Sequence, residues 1–363
     1  MSKLDKYKII KKLGSGAFGD TFLVKYNDKE YAMKIENITE EEIKKDLSSP
    51  VWREIEFATT MHKECPNHIM KLYEYDIIEN CKHKHHNKIE SDSYKQGLNQ
   101  VTKEYYDKKM NSKYCLRMIY SLVDKTILQY SKELIKKPKE VWYSLFIQYF
   151  YVTYCLHKKG YSHNDLHKNN IGIVFTENKT ITVFKEYRIP TFGMKLVLLD
   201  YGLVLNRKYD MTNKYFVSNE KEMHEYYIKY ECSNIIFHYF DLNPDHTKIK
   251  NKLSKHTPNY NYDEGNLLRH TLIGNNLIAM INPNQKIFHN DYVMYFYALL
   301  NPDEFQKMIF KDKKHKPIPI HTILDVEDYR YVIKFLPIQH YNDIRSIGHY
   351  FVNKLHNIYI KTT

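Results

Sequence analysis

The sequence predicts an α+β chain built as a small sheet-rich lobe followed by a larger, mostly helical lobe. Three observations carry that expectation. The N-terminal stretch "KYKIIKKLGSGAFGDTFLVKYNDKEYAMKIE" alternates like strands around a glycine turn. Two further strand-like runs, Ile69–Ile78 and Tyr114–Leu122, follow after an intervening helical pattern. From about Val141 onward the pattern turns helical and stays mostly so.

The elements follow in order. Ile9–Leu13, Thr21–Tyr26 and Glu30–Ile35 have period-2 or β-branched character, and "YNDKE" (26–30) reads as a hairpin turn. A polar lead, "TEEEIKKD", precedes "VWREIEFATTMH", whose apolar residues recur three and four apart from Val51, as a helix requires. Residues 79–113, rich in Lys, Asn, His and Ser, read as a polar insertion: a surface loop with some helix. A second insertion, Thr176–Thr191, separates the strand-like runs "IGIVF" and "MKLVLLD". No internal repeat is evident.

Composition bounds the function classes. The apolar fraction of 43% and the aromatic fraction of 15% belong to a folded chain with real cores. The longest apolar stretch, Val141–Leu156, is short and broken by Ser144, Gln148 and Thr153, so a buried helix is expected and no membrane span. The N-terminus lacks the apolar core of a signal peptide. The five scattered cysteines (65, 81, 115, 155 and 232) are expected to be reduced thiols, which points to a cytoplasmic compartment. A formal charge of +12 favours anionic partners such as acidic protein segments or phosphate-rich surfaces. Yet Lys supplies 48 of the 55 basic residues and the charge is spread along the chain, so a dedicated nucleic-acid surface is not expected.

Several residues are suited to phosphate chemistry. Gly14-Ser15-Gly16-Ala17-Phe18-Gly19 has the G-x-G-x-x-G spacing, which brings backbone N–H groups close to phosphate. A strand, not a helix, follows it, so the glycines cap a β-hairpin and a dinucleotide fold is disfavoured. Lys34, in "YAMK" on the next strand, would need an anion if it faces inward. Glu54, in "WREIEF", is the expected carboxylate partner; Glu56, on a different helix face, is expected to be solvated. In "YSHNDLHKNNIGIV" (161–174), Asp165 could orient a hydroxyl nucleophile and accept its proton. Asn170 offers a neutral oxygen suited to Mg²⁺, and Asp200, at the end of "KLVLLD" and before Tyr201-Gly202, offers a carboxylate. The cluster "CKHKHH", with Cys81, His83, His85 and His86, lacks a second ligand pair at zinc-finger spacing and reads as a His-rich surface loop.

Taken together, these motifs resemble the protein kinase superfamily. The resemblance covers residues 7–205 and implies a two-lobed protein kinase fold. The N-lobe would span 1–122 with the insertion 79–113. The C-lobe would span 123–363, with the insertion 176–191 and divergent C-terminal helices. It implies ATP and Mg²⁺ as cofactors. Gly14 to Gly19 would cover the phosphates and Lys34 would hold the α- and β-phosphates with Glu54 as its helix partner. Asp165 would be the catalytic aspartate, and Asn170 and Asp200 the metal ligands. Aligning "RMIYSLVDKTI" with the family's fifth strand places Tyr120 at the gatekeeper position and Ser121, Leu122 and the following residues at the adenine hinge.

The departures are informative. Asn164 replaces an Arg that receives an activation-loop phosphate in many kinases, and no A-P-E segment follows Asp200. His167 replaces the Lys that contacts the transferring phosphate, an order that also occurs in haspin-like kinases and in aminoglycoside and choline phosphotransferases. The Lys-rich composition is similar in style to the kinases of large DNA viruses, which would place the chain in a host cytoplasm or a virion. The resulting expectation is a monomeric Ser/Thr protein kinase acting on a protein substrate, acidic or already phosphorylated. The alternatives are a small-molecule phosphotransferase and a pseudokinase that only binds partners.

Overall fold

The computed structural model describes residues 3–15, 19–80, 103–134, 136–163, 166, 169–206, 208, 209, 328, 331 and 340–362. Among these the chain is a mixed α+β fold led by a five-stranded antiparallel sheet. Its strands are β1 (Lys8–Ser15), β2 (Gly19–Tyr26), β3 (Lys29–Ile38), β4 (Leu72–Glu79) and β5 (Tyr114–Tyr120), in the spatial order β1-β2-β3-β5-β4. The β2–β3 turn pairs Tyr26 with Lys29 across two residues, Asn27 and Asp28. Both have positive φ, 48° and 60°, the geometry that a two-residue hairpin needs and that Asn and Asp tolerate. The expected run from Ile69 starts as a strand only at Leu72, because Ile69 makes an isolated bridge to Leu198 instead.

Strand alternation divides the sheet into two faces. Met33, Ile35, Cys115 and Ile119 bury one face with Leu4, Tyr7 and Val24. Ala32, Leu116, Met118 and Tyr120 belong to the other, which packs with α1 (Pro50–Glu64) through Val51, Ile55 and Ala58. Pro50 opens α1 at its first position, where its missing N–H costs nothing, and Ser49 before it is extended. The insertion contributes α2 (Lys103–Met110), which lies against β3.

Beyond the sheet come the short β6 (Lys125–Thr126), α3 (Ile127–Leu134), α4 (Lys139–Lys158) and β7 (Tyr161–Ser162). They are followed by β8 (Ile171–Phe175), β9 (Thr180–Val183), β10 (Tyr187–Pro190), β11 (Met194–Leu198) and β12 (Leu205–Asn206). A three-stranded sheet runs β11-β8-β6, and β12 pairs with β7. The second insertion is ordered as an antiparallel β9–β10 hairpin, with Thr180 paired to Pro190. The three polar residues that interrupt the apolar run of α4 are all used. Ser144 donates to the Pro190 carbonyl at 2.6 Å, and Thr153 donates to that of Tyr149 at 2.9 Å. Gln148 accepts from the Leu196 N–H at 2.9 Å and donates to the Met194 carbonyl at 3.3 Å, satisfying the outer edge of β11.

The final helix, α5 (Tyr341–Thr362), lies along α4. Ile344, Ile347, Phe351 and Leu355 form its buried stripe, and the Phe351 ring stacks on Phe146 and Phe150 at 5.7 and 5.8 Å. No helix among the described residues is long and apolar enough to cross a membrane. Cys65 and Cys155 are free thiols, as expected, but Cys115 is disulfide-bonded, so the all-thiol expectation fails there. The histidine-rich cluster from Cys81 to His86 and the helices expected over 210–327 lie outside the described residues.

Candidate active site

Period-2 alternation on β3 turns Lys34 to the same face as Ala32, toward α1. Its ammonium donates to Glu54 Oε2 at 2.6 Å and lies 3.5 Å from Asp200 Oδ1. The expected Lys34–Glu54 pair is therefore made, and a third element, the end of β11, brings Asp200 to the same cation. Glu54 is almost wholly buried, and its other oxygen accepts a 3.0 Å hydrogen bond from the Tyr120 hydroxyl. Asp200 is half-exposed and sits in the left-handed region with φ 55°, which turns the chain out of β11 toward Gly202.

The protonation tendencies follow from this crowding. Burial would lower the Lys34 pKa, but the carboxylates of Glu54, Asp200 and Glu36 outweigh it and hold it well above the ordinary lysine value. Burial pushes the Glu54 carboxyl up, and the neighbouring Glu36 and Asp200 add to that push against the opposing pull of Lys34. Asp200 goes the other way: desolvation raises it, yet Lys34, His163 and the Gly202 N–H together hold it below the usual aspartate value.

Asn170 and Asp200 come together through the β8–β11 pairing. Ile171 faces Leu198 in register, and the Leu199 N–H donates to the Asn170 carbonyl at 2.8 Å. Asn170, just before β8, and Asp200, two residues beyond β11, thus lie at one end of the small sheet. A side-chain amide oxygen and a carboxylate are hard donors of the kind Mg²⁺ takes, and Mg²⁺ commonly completes its shell with water and substrate phosphate. No group of three or more His, Cys, Asp or Glu suited to a metal ion occurs among the described residues.

Two buried rings brace this corner. Tyr201 packs between Phe57 at 4.7 Å and His163 at 5.9 Å. Its hydroxyl donates to the Leu198 carbonyl at 2.6 Å and accepts the Met70 N–H at 2.9 Å. His163 hydrogen-bonds the Leu199 carbonyl through Nε2 at 3.0 Å, immediately before Asp200. A phenylalanine at 201 would fill the same space without either hydrogen bond.

The strands that flank the glycine motif pair as expected. Gly14 and Ser15 end β1, paired with Thr21 and Asp20 of β2. Gly19 is required for packing as well, since a Cβ there would collide with the Ile35 carbonyl. Of the hinge candidates, Tyr120 is buried with its hydroxyl on Glu54, while Ser121 and Leu122 are half-buried. Ser121 is tied to Lys71 by two hydrogen bonds of 2.9 and 3.0 Å, one from its N–H and one to its Oγ. Gly16, Ala17, Phe18, Asn164, Asp165 and His167 lie outside the described residues.

The expectation for Glu56 is corrected. Its carboxylate is not solvated but accepts hydrogen bonds from Tyr161, at 2.7 and 2.9 Å, and from Tyr209, at 2.7 Å, and pairs with Lys208. One helical turn of α1 therefore faces two ways, Glu54 into the Lys34 cluster and Glu56 toward β7 and the segment after β12. Sequence reasoning also missed Glu36, whose Oε2 is 3.6 Å from Lys34, although its position two residues along the same strand places it on the same face. No protein-family model matches the chain, and no curated protein matches it. The functional reading therefore rests on these residues and their geometry.

Proposed function

We propose that this chain is a divergent protein kinase, transferring the γ-phosphoryl group of ATP to Ser or Thr of a protein substrate. The observation that carries the reading is the Lys34 ammonium, held by Glu54 at 2.6 Å and facing Asp200 at 3.5 Å. A strand, the helix α1 and a segment 166 residues beyond Lys34 meet at that one cation, on a strand paired with the β-hairpin that carries Gly14 and Gly19. Structural ion pairs are common, but this one joins the residues that the motifs single out. The five-stranded sheet with α1 across it suits the small sheet-rich lobe of a two-lobed kinase fold.

On this reading Lys34 binds and orients the α- and β-phosphates, and Glu54 and Tyr120 keep its side chain from swinging away. Asn170 and Asp200 would hold Mg²⁺, which when bound supplies charge neutralisation at the phosphates. Asp200 is suited to this because its carboxylate stays ionised. Asp165 orients the acceptor hydroxyl and takes its proton as the new P–O bond forms. His167 would donate a hydrogen bond to the transferring phosphate in place of a lysine. Most of the rate comes from positioning and charge stabilisation, since little covalent chemistry is asked of the protein.

The test is incubation of the full chain with γ-labelled ATP and Mg²⁺, offered either mixed proteins or a panel of small alcohols that includes aminoglycosides and choline. Label on protein Ser or Thr, lost in Asp165→Ala and reduced about 10²–10³-fold in Lys34→Met, is the expected result. Label confined to the small alcohols would move the chain to the small-molecule phosphotransferases. No turnover with either would leave a binding-only pseudokinase.

A further inference from the structure

We propose that Lys109, supplied by the insertion between β4 and β5, is a positioning residue for Lys34. It takes up Glu36, so that the Lys34 ammonium is left to Glu54, Asp200 and the phosphates of a bound nucleotide. The proposal rests on the nucleotide-site reading above and adds a residue to it that no motif contains.

Three carboxylates crowd the Lys34 ammonium, with Glu54 at 2.6 Å, Asp200 at 3.5 Å and Glu36 at 3.6 Å. One cation against three anions is a poor place to bring phosphate, which adds more negative charge. Glu36 is the odd member of the set. Glu54 anchors the cation from α1 and Asp200 is a candidate metal ligand, but Glu36 only competes for the same charge. Its other oxygen, Oε1, accepts a 2.7 Å hydrogen bond from Lys109 Nζ. Lys109 is 1% exposed and Glu36 5%, so this pair is held in the interior and salt screens it little.

Lysine is among the residues least often buried, and here a helix in a polar insertion places one beneath β3. Lys109 also lies 3.8 Å from Glu42 Oε1. Glu42 in turn accepts hydrogen bonds from the Thr39 N–H at 2.8 Å and the Ser49 hydroxyl at 2.7 Å, just before α1 begins. Charges therefore alternate from Asp200 to the segment before α1, in the order Asp200 and Glu54, Lys34, Glu36, Lys109, Glu42. Without Lys109, Glu36 would turn its charge on Lys34, drawing it from Glu54 and making the site more repulsive to phosphate.

The experiment measures binding of a non-hydrolysable ATP analogue with Mg²⁺, and thermal melting, for the full chain and three variants. Lys109→Met is expected to weaken nucleotide binding roughly 10-fold. Lys109→Met combined with Glu36→Gln is expected to recover it to within about threefold, because the stranded charge has gone. Lys109→Arg keeps the cation and is expected to bind like the wild type. A Lys109→Met protein that melts lower yet binds the nucleotide as the wild type does would make Lys109 merely structural and overturn the proposal. If Lys109→Met does not fold, the double variant decides: wild-type melting with binding still 10-fold weak overturns the proposal. A wild type that binds no nucleotide overturns the underlying site reading and this proposal with it. Equal binding by wild type and all variants overturns this proposal alone.

Discussion

The Tyr209 hydroxyl donates a 2.7 Å hydrogen bond to the Glu56 carboxylate, across 153 residues of chain, and fastens α1 to the segment that follows β12. Tyr161 and Lys208 bind the same carboxylate. If the proposed function holds, this clasp would do by fixed side chains what a phosphorylated loop does in kinases that carry Arg where this chain has Asn164. Phosphatase treatment is expected to leave activity unchanged, whereas Glu56→Ala is expected to lose about 1–3 kcal/mol of stability and to lower kcat. An unchanged kcat in Glu56→Ala would remove the clasp from the account.

The same carboxylate gives an acid-side prediction. Burial raises its pKa, but hydrogen bonds from Lys208, Tyr161 and Tyr209 outweigh it, so it titrates below the ordinary 4.5 in the folded chain. The unfolded chain takes up that proton first as pH falls. The clasp therefore contributes fully above the ordinary value and is lost as pH drops through the depressed one. Melting temperature is expected to fall more steeply below pH 4.5 in the wild type than in Glu56→Gln; parallel curves would count against it.

His68 predicts a second window at milder pH. It is buried, its Nδ1 hydrogen-bonds the Leu196 carbonyl at 2.8 Å, and burial lowers its pKa from 6.5 to about 4. The unfolded chain then binds a proton that the folded chain refuses, so stability falls as pH drops below 6.5 and continues to fall until about 4. On the order of 2 kcal/mol should be lost between pH 7 and pH 5, and chemical denaturation of the wild type against His68→Gln measures it.

Lys34→Met and Glu54→Gln separate binding from folding. Removing the cation leaves Glu54 buried beside Glu36 and Asp200, so Lys34→Met is expected to lower kcat by about 10²–10³-fold. Glu54→Gln keeps Tyr120 a partner through its amide and relieves one negative charge. It is expected to melt near the wild type while losing orientation of Lys34, seen as a smaller fall in kcat. Steady-state kinetics with γ-labelled ATP would measure both, and a wild-type kcat in Lys34→Met would sink the assignment.

Tyr201→Phe tests the brace behind Asp200. The buried hydroxyl bridges the Leu198 carbonyl and the Met70 N–H, and its loss leaves that N–H without this acceptor. A cost of about 1–3 kcal/mol in denaturant unfolding is expected. A variant as stable as the wild type would show the bridge to be dispensable.

Local signals in the sequence carried much of this. Alternation located β1, β2 and β3, with ends short by up to three residues, and "YNDKE" located the β2–β3 turn, because strand period and positive-φ tolerance are properties of a few adjacent side chains. The spacing from Lys34 to Glu54 foretold the buried pair, since alternation on a strand and periodicity on a helix say which way each side chain faces. No element was expected inside the insertion 176–191, because a hairpin with one buried side, as in Ile181 and Val183, has little apolar pattern to reveal it.

By itself, then, the sequence determined the α+β class, the main strands, α1 and the convergence of Lys34 with Glu54. Only the tertiary structure decided that Glu56 is clasped by Tyr161, Tyr209 and Lys208, and that Lys109 enters the interior to meet Glu36. The physical reason is the range of the interaction. Periodicity and turn chemistry act over a few residues, whereas a buried charge is tolerated only where distant segments bring it a partner.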